Sequence, residues 1–277
     1  MMSEVQEAVN KAEYRPVGRF VFVFTSLAVV TCILMIMNIG IGSVSISVKE
    51  IIDTVFNPDS GSTINSIIWK IRIPRSIAAV LGGAYLATAG LLLQVYFRNP
   101  IVGPFILGIS SGATLMVAFV MLTTLTVGMT VITPFMTTLA AFIGAYGVLM
   151  IIVAVASRVK SGITLLIIGL MMGYLCRAVT SVLMALAEKE KIKGFVLWEL
   201  GSFSGFKWSE INIMVICGGA ILVMVYCMSK PLNAFLLGEE YASSMGVNIK
   251  KFRMLILLFS CALAGMITSV AGPIAFV

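Results

Sequence analysis

Apolar runs long enough to cross a bilayer recur along the whole chain. A helix rising 1.5 Å per residue needs about 20 apolar residues to span roughly 30 Å of hydrocarbon. Such runs cover Phe20–Ile41, Ile77–Tyr96, Gly112–Leu125, Ile132–Ser157, Ile163–Leu186, Ile211–Met228 and Met254–Ser269, the third and seventh being short. Lipid satisfies no backbone N–H or C=O, so spans of this composition must be helices. The expected fold is all-α, a polytopic transmembrane helical bundle of about seven spans, read as a single domain over residues 1–277. Composition agrees: 11% of residues are charged and mean hydropathy is +1.07, against about 25% charged residues in a soluble domain.

The same inventory narrows function. The net charge of +7 comes from Lys and Arg that punctuate apolar spans, which points to membrane-surface loops and not to nucleic acid. The chain has no histidine, which removes the usual residue for haem ligation, zinc or base catalysis. The five cysteines, Cys32, Cys176, Cys217, Cys227 and Cys261, each lie in an apolar run without a CxxC pair, and read as buried free thiols. No cofactor or metal is expected. No G-x-x-x-x-G-K-[ST] phosphate loop occurs, so ATP hydrolysis would require another subunit. Phe20–Ile41 follows Lys11, Arg15 and Arg19 but exceeds the roughly 7–15-residue core of a signal peptide, so it reads as a retained helix.

The Lys/Arg balance of the loops weakly favours a cytoplasmic N-terminus. It gives a cytoplasmic tail at 1–19, Gly42–Lys70 outside and a cytoplasmic loop at 230–253. Gly42–Lys70 is polar, with a turn signal at Asn57–Gly61. Glu188–Lys207 mixes charge with Phe195, Trp198, Phe203 and Phe206, as an amphipathic interfacial helix does.

The stretch from Arg72-Ile-Pro-Arg75 through Phe97-Arg-Asn-Pro100 and Gly103-Pro104 to Gly112 is interrupted by Pro and Gly between two spans. Broken backbone at membrane depth survives where protein or a water-filled cavity satisfies it, which suggests a conduit. Gln94 and Asn99 either cap this backbone or line a pore. Small residues at Gly83, Ala87 and Gly90, and a GxxxG at Gly169 and Gly173, predict close helix packing. Arg177 lies roughly 21 Å into the fifth span, no predicted span contains Asp or Glu, and intramembrane charges usually face a bundle interior or water. Either it hydrogen-bonds carbonyls structurally or it meets an anionic substrate.

Three blocks carry a resemblance: Arg72 through Gly112; Trp198-Glu-Leu-Gly-Ser-Phe-Ser-Gly205 with Trp208; and Leu237-Gly-Glu-Glu-Tyr-Ala-Ser-Ser-Met-Gly246 through Ala271-Gly-Pro-Ile-Ala-Phe276. Together they resemble the permease subunit of type II ABC importers for iron–siderophore, haem and cobalamin (the FecCD/BtuC-like family). Members of that family have ten spans and continue past the last block. The resemblance therefore implies that three helices are missing here, as in a truncated product or partial chain.

The resemblance also implies partners and residue roles. Cytosolic ATPase subunits would dock on Leu237–Val247, using Gly238, Glu239, Glu240, Ala242 and Gly246, which fit an E-x-A-x-x-x-G coupling motif. Arg72 and Arg75, at i and i+3, would meet glutamates of an extracytoplasmic substrate-binding protein; the plain alternative is snorkelling at the interface. A second permease subunit, identical or different, would complete a pathway to which Arg177, Gly169, Gly173 and Gln94 are candidates. The expected function is ATP-driven import of a ferric siderophore or related chelate across a bacterial or archaeal cytoplasmic membrane, with haem or cobalamin as the alternative cargo. A secondary transporter would need intramembrane acids, and an intramembrane enzyme would need clustered catalytic groups.

Overall fold

The computed structural model describes residues 17–42, 44, 46–56, 63–123, 134–159 and 161–274. Outside them lie the tail up to Arg15, the Asn57–Gly61 turn, the third and fourth spans' ends at Leu125 and Ile132, and Phe276. Among the described residues there is no strand. Six helices are long and apolar enough to cross a membrane, and the chain is a multi-pass membrane protein. The third expected span is a shorter apolar helix of 14 residues, Ile109–Leu122.

Two compact units divide the chain, Met1–Ser76 and Ile77–Val277. The first holds α1 (Val17–Gly40), α2 (Val48–Phe56) and α3 (Thr63–Ile67), the last running through a π turn (Ile68–Arg72) into α4 (Ile73–Phe97). The stretch read as a polar loop thus contains two helices. The start of α2 is a capping box: the Ser47 amide donates to Glu50 Oε2 at 2.8 Å and the Glu50 amide donates to Ser47 Oγ at 3.3 Å. Accepting from the Ser47 amide and then its hydroxyl holds the Glu50 carboxyl below its usual pKa. Ile39, Ile46, Ile51 and Ile68 form the small core of this unit.

The second unit contains a 3-10 turn (Pro104–Leu107), α5 (Ile109–Leu122), α6 (Pro134–Ala156), α7 (Gly162–Leu186) and α8 (Lys189–Glu199). It continues with α9 (Trp208–Ile213), a π turn (Met214–Gly218), α10 (Gly219–Cys227), α11 (Ser229–Leu237), α12 (Glu239–Ser244) and α13 (Ile249–Ala271). Between transmembrane helices lipid removes most of the hydrophobic drive, so close approach of small residues sets the packing. The closest approach joins α5 to α6. A Cβ at Gly112 would lie 2.4 Å from Val148 Cγ2 and 2.7 Å from the Gly144 carbonyl oxygen. Ala145 receives α13 at Gly265 in the same way.

Two expectations about small residues change. A Cβ at Gly83 or Gly90 would meet nothing within 4 Å, so that stripe makes no tight contact among the described residues. Three of the five cysteines, Cys32, Cys217 and Cys227, lie on outward faces of their helices, and only Cys176 and Cys261 are buried.

Candidate functional site

The residues between the sixth and seventh spans fold into a jointed pair of short helices. α11 ends at Leu237, Gly238 turns the chain with φ +140°, and α12 starts at once. Glu239 and Glu240 occupy its first turn, where carboxylates complement the helix dipole. At its other end the Val247 amide donates to the Ala242 carbonyl and the Gly246 amide to the Ser243 carbonyl, both at 3.0 Å. This is a Schellman closure, which requires a left-handed residue at Gly246, and its φ is +85°. Ala242 is fully buried. Glu239 pairs with Arg253 near the start of α13, so α12 is tied at one end to a membrane-spanning helix. Asn248 caps that span by accepting from the Lys251 amide at 3.1 Å.

The end of α4 meets this joint. Arg98, just past Phe97, has φ +48°, the left-handed region that costs a non-glycine residue about 1–2 kcal/mol. Its guanidinium lies 5.8 Å from the Phe235 ring centroid, and Nη2 reaches the Phe235 carbonyl at 3.5 Å. The neighbouring turn is held by Gln94 Nε2, which donates to the Pro100 carbonyl at 2.9 Å, and by Asn99 Oδ1, which accepts from the Ile101 amide. Gln94 therefore caps the broken backbone, as one of its two expected roles requires.

The two arginines expected to dock part company. Arg75 is exposed and lines an open recess with Asn38 and Ile41. Arg72 is buried, and its guanidinium donates to the carbonyls of Ile39 and Gly40 at the end of α1 and of Val44 beyond it. A cation there complements the helix C-terminus. Three residues advance a helix by 300°, leaving the two side chains roughly 60° apart, enough to send one inward and one outward. Docking through Arg72 would require it to abandon these carbonyls, so the expectation narrows to Arg75.

Gly169 and Gly173 make the close packing expected of a GxxxG pair. They receive the 104–108 segment: a Cβ at Gly169 would lie 3.0 Å from the Ile106 oxygen, and one at Gly108 would lie 2.9 Å from the Gly173 nitrogen. They pack α7 against this broken backbone. Arg177, turned about 80° from Gly169, lines a cavity of about 350 Å³ with Ser110, Ser111, Thr114, Thr180, Ser181 and Glu199. Glu199 is the acid that the span boundaries hid, since it closes α8 beyond the fifth span. The Thr114, Thr180 and Ser181 hydroxyls donate to carbonyls one turn back. They present acceptor oxygens to the cavity, and Arg177 supplies donors and positive charge.

The second and third sequence blocks meet at a glycine contact. A Cβ at Gly272, whose φ is +77°, would lie 2.7 Å from the Trp198 oxygen and 3.1 Å from Gly201 Cα, and the Ser202 amide donates to the Ala271 carbonyl at 2.8 Å.

Known proteins share this architecture and sequence. A protein of Methanocaldococcus jannaschii named as an ABC transporter permease is 34% identical over 234 residues, 84% of this chain and 67% of its own length. The hemin transport system permease protein HmuU of Yersinia pestis is 29% identical over 257 residues, 91% of this chain and 74% of its own. A solved structure described as an inward-facing conformation of a metal-chelate type ABC transporter superposes with a TM-score of 0.76 at 26% identity, covering 92% of this chain and 76% of that one. The profile of the FecCD transport family matches residues 30–277, and the chain belongs to that family.

Proposed function

We propose that the chain is a membrane-spanning permease subunit of an ATP-driven importer for an anionic ferric chelate of the siderophore type. The observation that carries the transport reading is the short α12 helix, closed by Gly246 and tied through Glu239 to Arg253. A compact, capped helix suspended between two helices suits a docking element, and the E-x-A-x-x-x-G pattern supports a cytosolic ATPase as what it receives. Hydrolysis belongs to that subunit, and alternating access moves the cargo without chemistry on it. A second permease subunit completes the pathway, and an extracytoplasmic binding protein delivers cargo at the Arg75 end.

The cavity around Arg177 supports the cargo class. Its cation suits carboxylate, catecholate or hydroxamate oxygens, and its hydroxyl acceptors suit the amide N–H groups such chelates carry. Haem is the second reading, favoured by the 29% identity to a hemin permease; its large apolar faces fit this lining less well. The test is uptake by cells lacking their own chelate importers and supplied with this permease, its ATPase and its binding protein. Iron-55 chelates of an anionic siderophore should enter, and excess haem should not compete. Haem-inhibited iron uptake would transfer the reading to haem, and no ATP-dependent uptake of any chelate would remove it.

A further inference from the structure

We infer that Arg98 is the positioning residue that fastens the α11–α12 joint to the end of α4, so that movement imposed on α12 is passed to that helix by its side chain. The inference rests on the reading of α12 as the ATPase dock. Three independent observations converge on Arg98. Its backbone is left-handed, and it is the one described non-glycine residue with positive φ. Its guanidinium lies over the Phe235 ring and reaches the Phe235 carbonyl. That carbonyl also accepts from the Gly238 amide at 3.2 Å, so Arg98 acts at the last turn of α11, beside the residue about which the chain swings into α12.

The surroundings make the contact stiff on both sides. The Phe235 ring is fully buried and packs at 5.6 Å on Phe252 in the first turn of α13. On the α4 side, the Asn99 amide donates to the Gln94 carbonyl at 3.2 Å, and the Gln94 and Asn99 side chains fix the following turn. A side chain bridging two rigid pieces transmits displacement between them. A guanidinium fits this place because its plane serves the ring while its N–H edge serves the carbonyl, and a cation also complements the C-terminal end of α11. The left-handed backbone aims it there, which explains a conformation otherwise unfavourable to arginine.

The positive φ supplies a clean variant. Arg98→Gly removes the side chain and suits the backbone, so the turn itself survives. Hydrogen exchange of the full chain in lipid nanodiscs reads the joint without any partner. Arg98→Gly should accelerate exchange across residues 232–242 on the order of tenfold, the loss of one charged hydrogen bond and one cation–π contact, with α5 and α6 unchanged. Arg98→Lys should recover part of the protection, because a cation remains over the ring. Unchanged exchange at 232–242, or acceleration spread evenly through α5 and α6, overturns the inference. In the assembled transporter, Arg98→Gly should retain ATPase binding and hydrolysis but lose cargo uptake; normal uptake by that variant overturns it too. If the wild-type chain binds no ATPase, the transport reading fails, while the exchange result still decides the clamp.

Discussion

The Tyr85 hydroxyl donates to the Met214 carbonyl at 2.7 Å, joining α4 to the π turn between α9 and α10. A π turn shifts the i−4 ladder and leaves backbone groups in need of other partners, and in a bilayer no water supplies them. Tyr85 is fully buried, and its ring lies against Gly218, where a Cβ would stand 2.4 Å from Cζ. Glycine and tyrosine are therefore matched in shape as well as in hydrogen bonding.

Tyr85→Phe should lower stability by about 1–2 kcal/mol, the size of a buried hydrogen bond between membrane helices. Gly218→Ala should cost about 1–3 kcal/mol by overpacking the ring. Thermal unfolding in detergent measures both. Because the sites touch, a double-mutant cycle should show coupling; additive losses would mean that the contact does not fix the two helices together.

Arg72 and Arg75 should separate stability from docking. Arg72→Gln strips a charged donor from three carbonyls and should destabilise the 1–76 unit by about 2–3 kcal/mol. Arg75→Glu should leave stability within about 0.5 kcal/mol and weaken capture of the binding protein by nanodisc-held transporter. Exposed charges are screened over about 8 Å at physiological salt, so wild-type capture should also fall as salt rises. Capture by the Arg75→Glu variant equal to wild type would remove the docking role.

The α2 capping box should respond to acid. The Glu50 carboxylate is the acceptor, and its pKa is lowered in the folded state. Its contribution is therefore full above the ordinary glutamate range and lost as pH falls through the lowered value, below about 4.3. A spin label at exposed Ile52 should gain mobility over that interval, and Glu50→Gln should flatten the response. An acid-induced change that persists in Glu50→Gln would assign it to another group.

The spans were legible because composition alone decides them: α1, α6 and α7 fall almost where their apolar runs do. Gly246 was legible because its role is local, a left-handed closure signalled by spacing. Facing was not legible. Arg72 and Arg75 are the same residue type three positions apart, yet a 60° turn separates a buried cation from an exposed one. Glu199 falls in the stretch that reads as an interfacial helix, outside every expected span, and reaches the Arg177 cavity only through the return of α8. The Gly112–Gly144 contact had a signal in the small residues Ala140, Ala141, Gly144 and Ala145, but nothing in the sequence names the helix they meet.

Gly246→Val should test the docking helix. A β-branched residue at φ +85° is strained, so the Val247–Ala242 and Gly246–Ser243 bonds should open and the last turn of α12 should fray. Co-purification of the ATPase should fall while the yield of folded permease persists, because no neighbouring atom lies within 4 Å of a Cβ there. Undiminished co-purification would place the dock elsewhere.

Arg177 should set cargo charge. It shares its cavity with Glu199 and five hydroxyl side chains, and under the proposed function its guanidinium is the cation that meets an anionic chelate. Arg177→Gln keeps donors and length but removes charge, and should reduce uptake of an anionic ferric chelate by about tenfold, roughly 1.4 kcal/mol. Uptake of a neutral chelate should change far less. Arg177→Lys should retain an intermediate rate, since the charge stays while the planar fork is lost. Glu199→Gln should shift preference in the opposite sense, admitting more anionic cargo, because Glu199 is the one acidic side chain among the described lining residues. Expression and ATPase co-purification should be unchanged in all three. Equal losses for anionic and neutral chelates would make Arg177 a structural residue of the bundle and leave the cargo class unassigned.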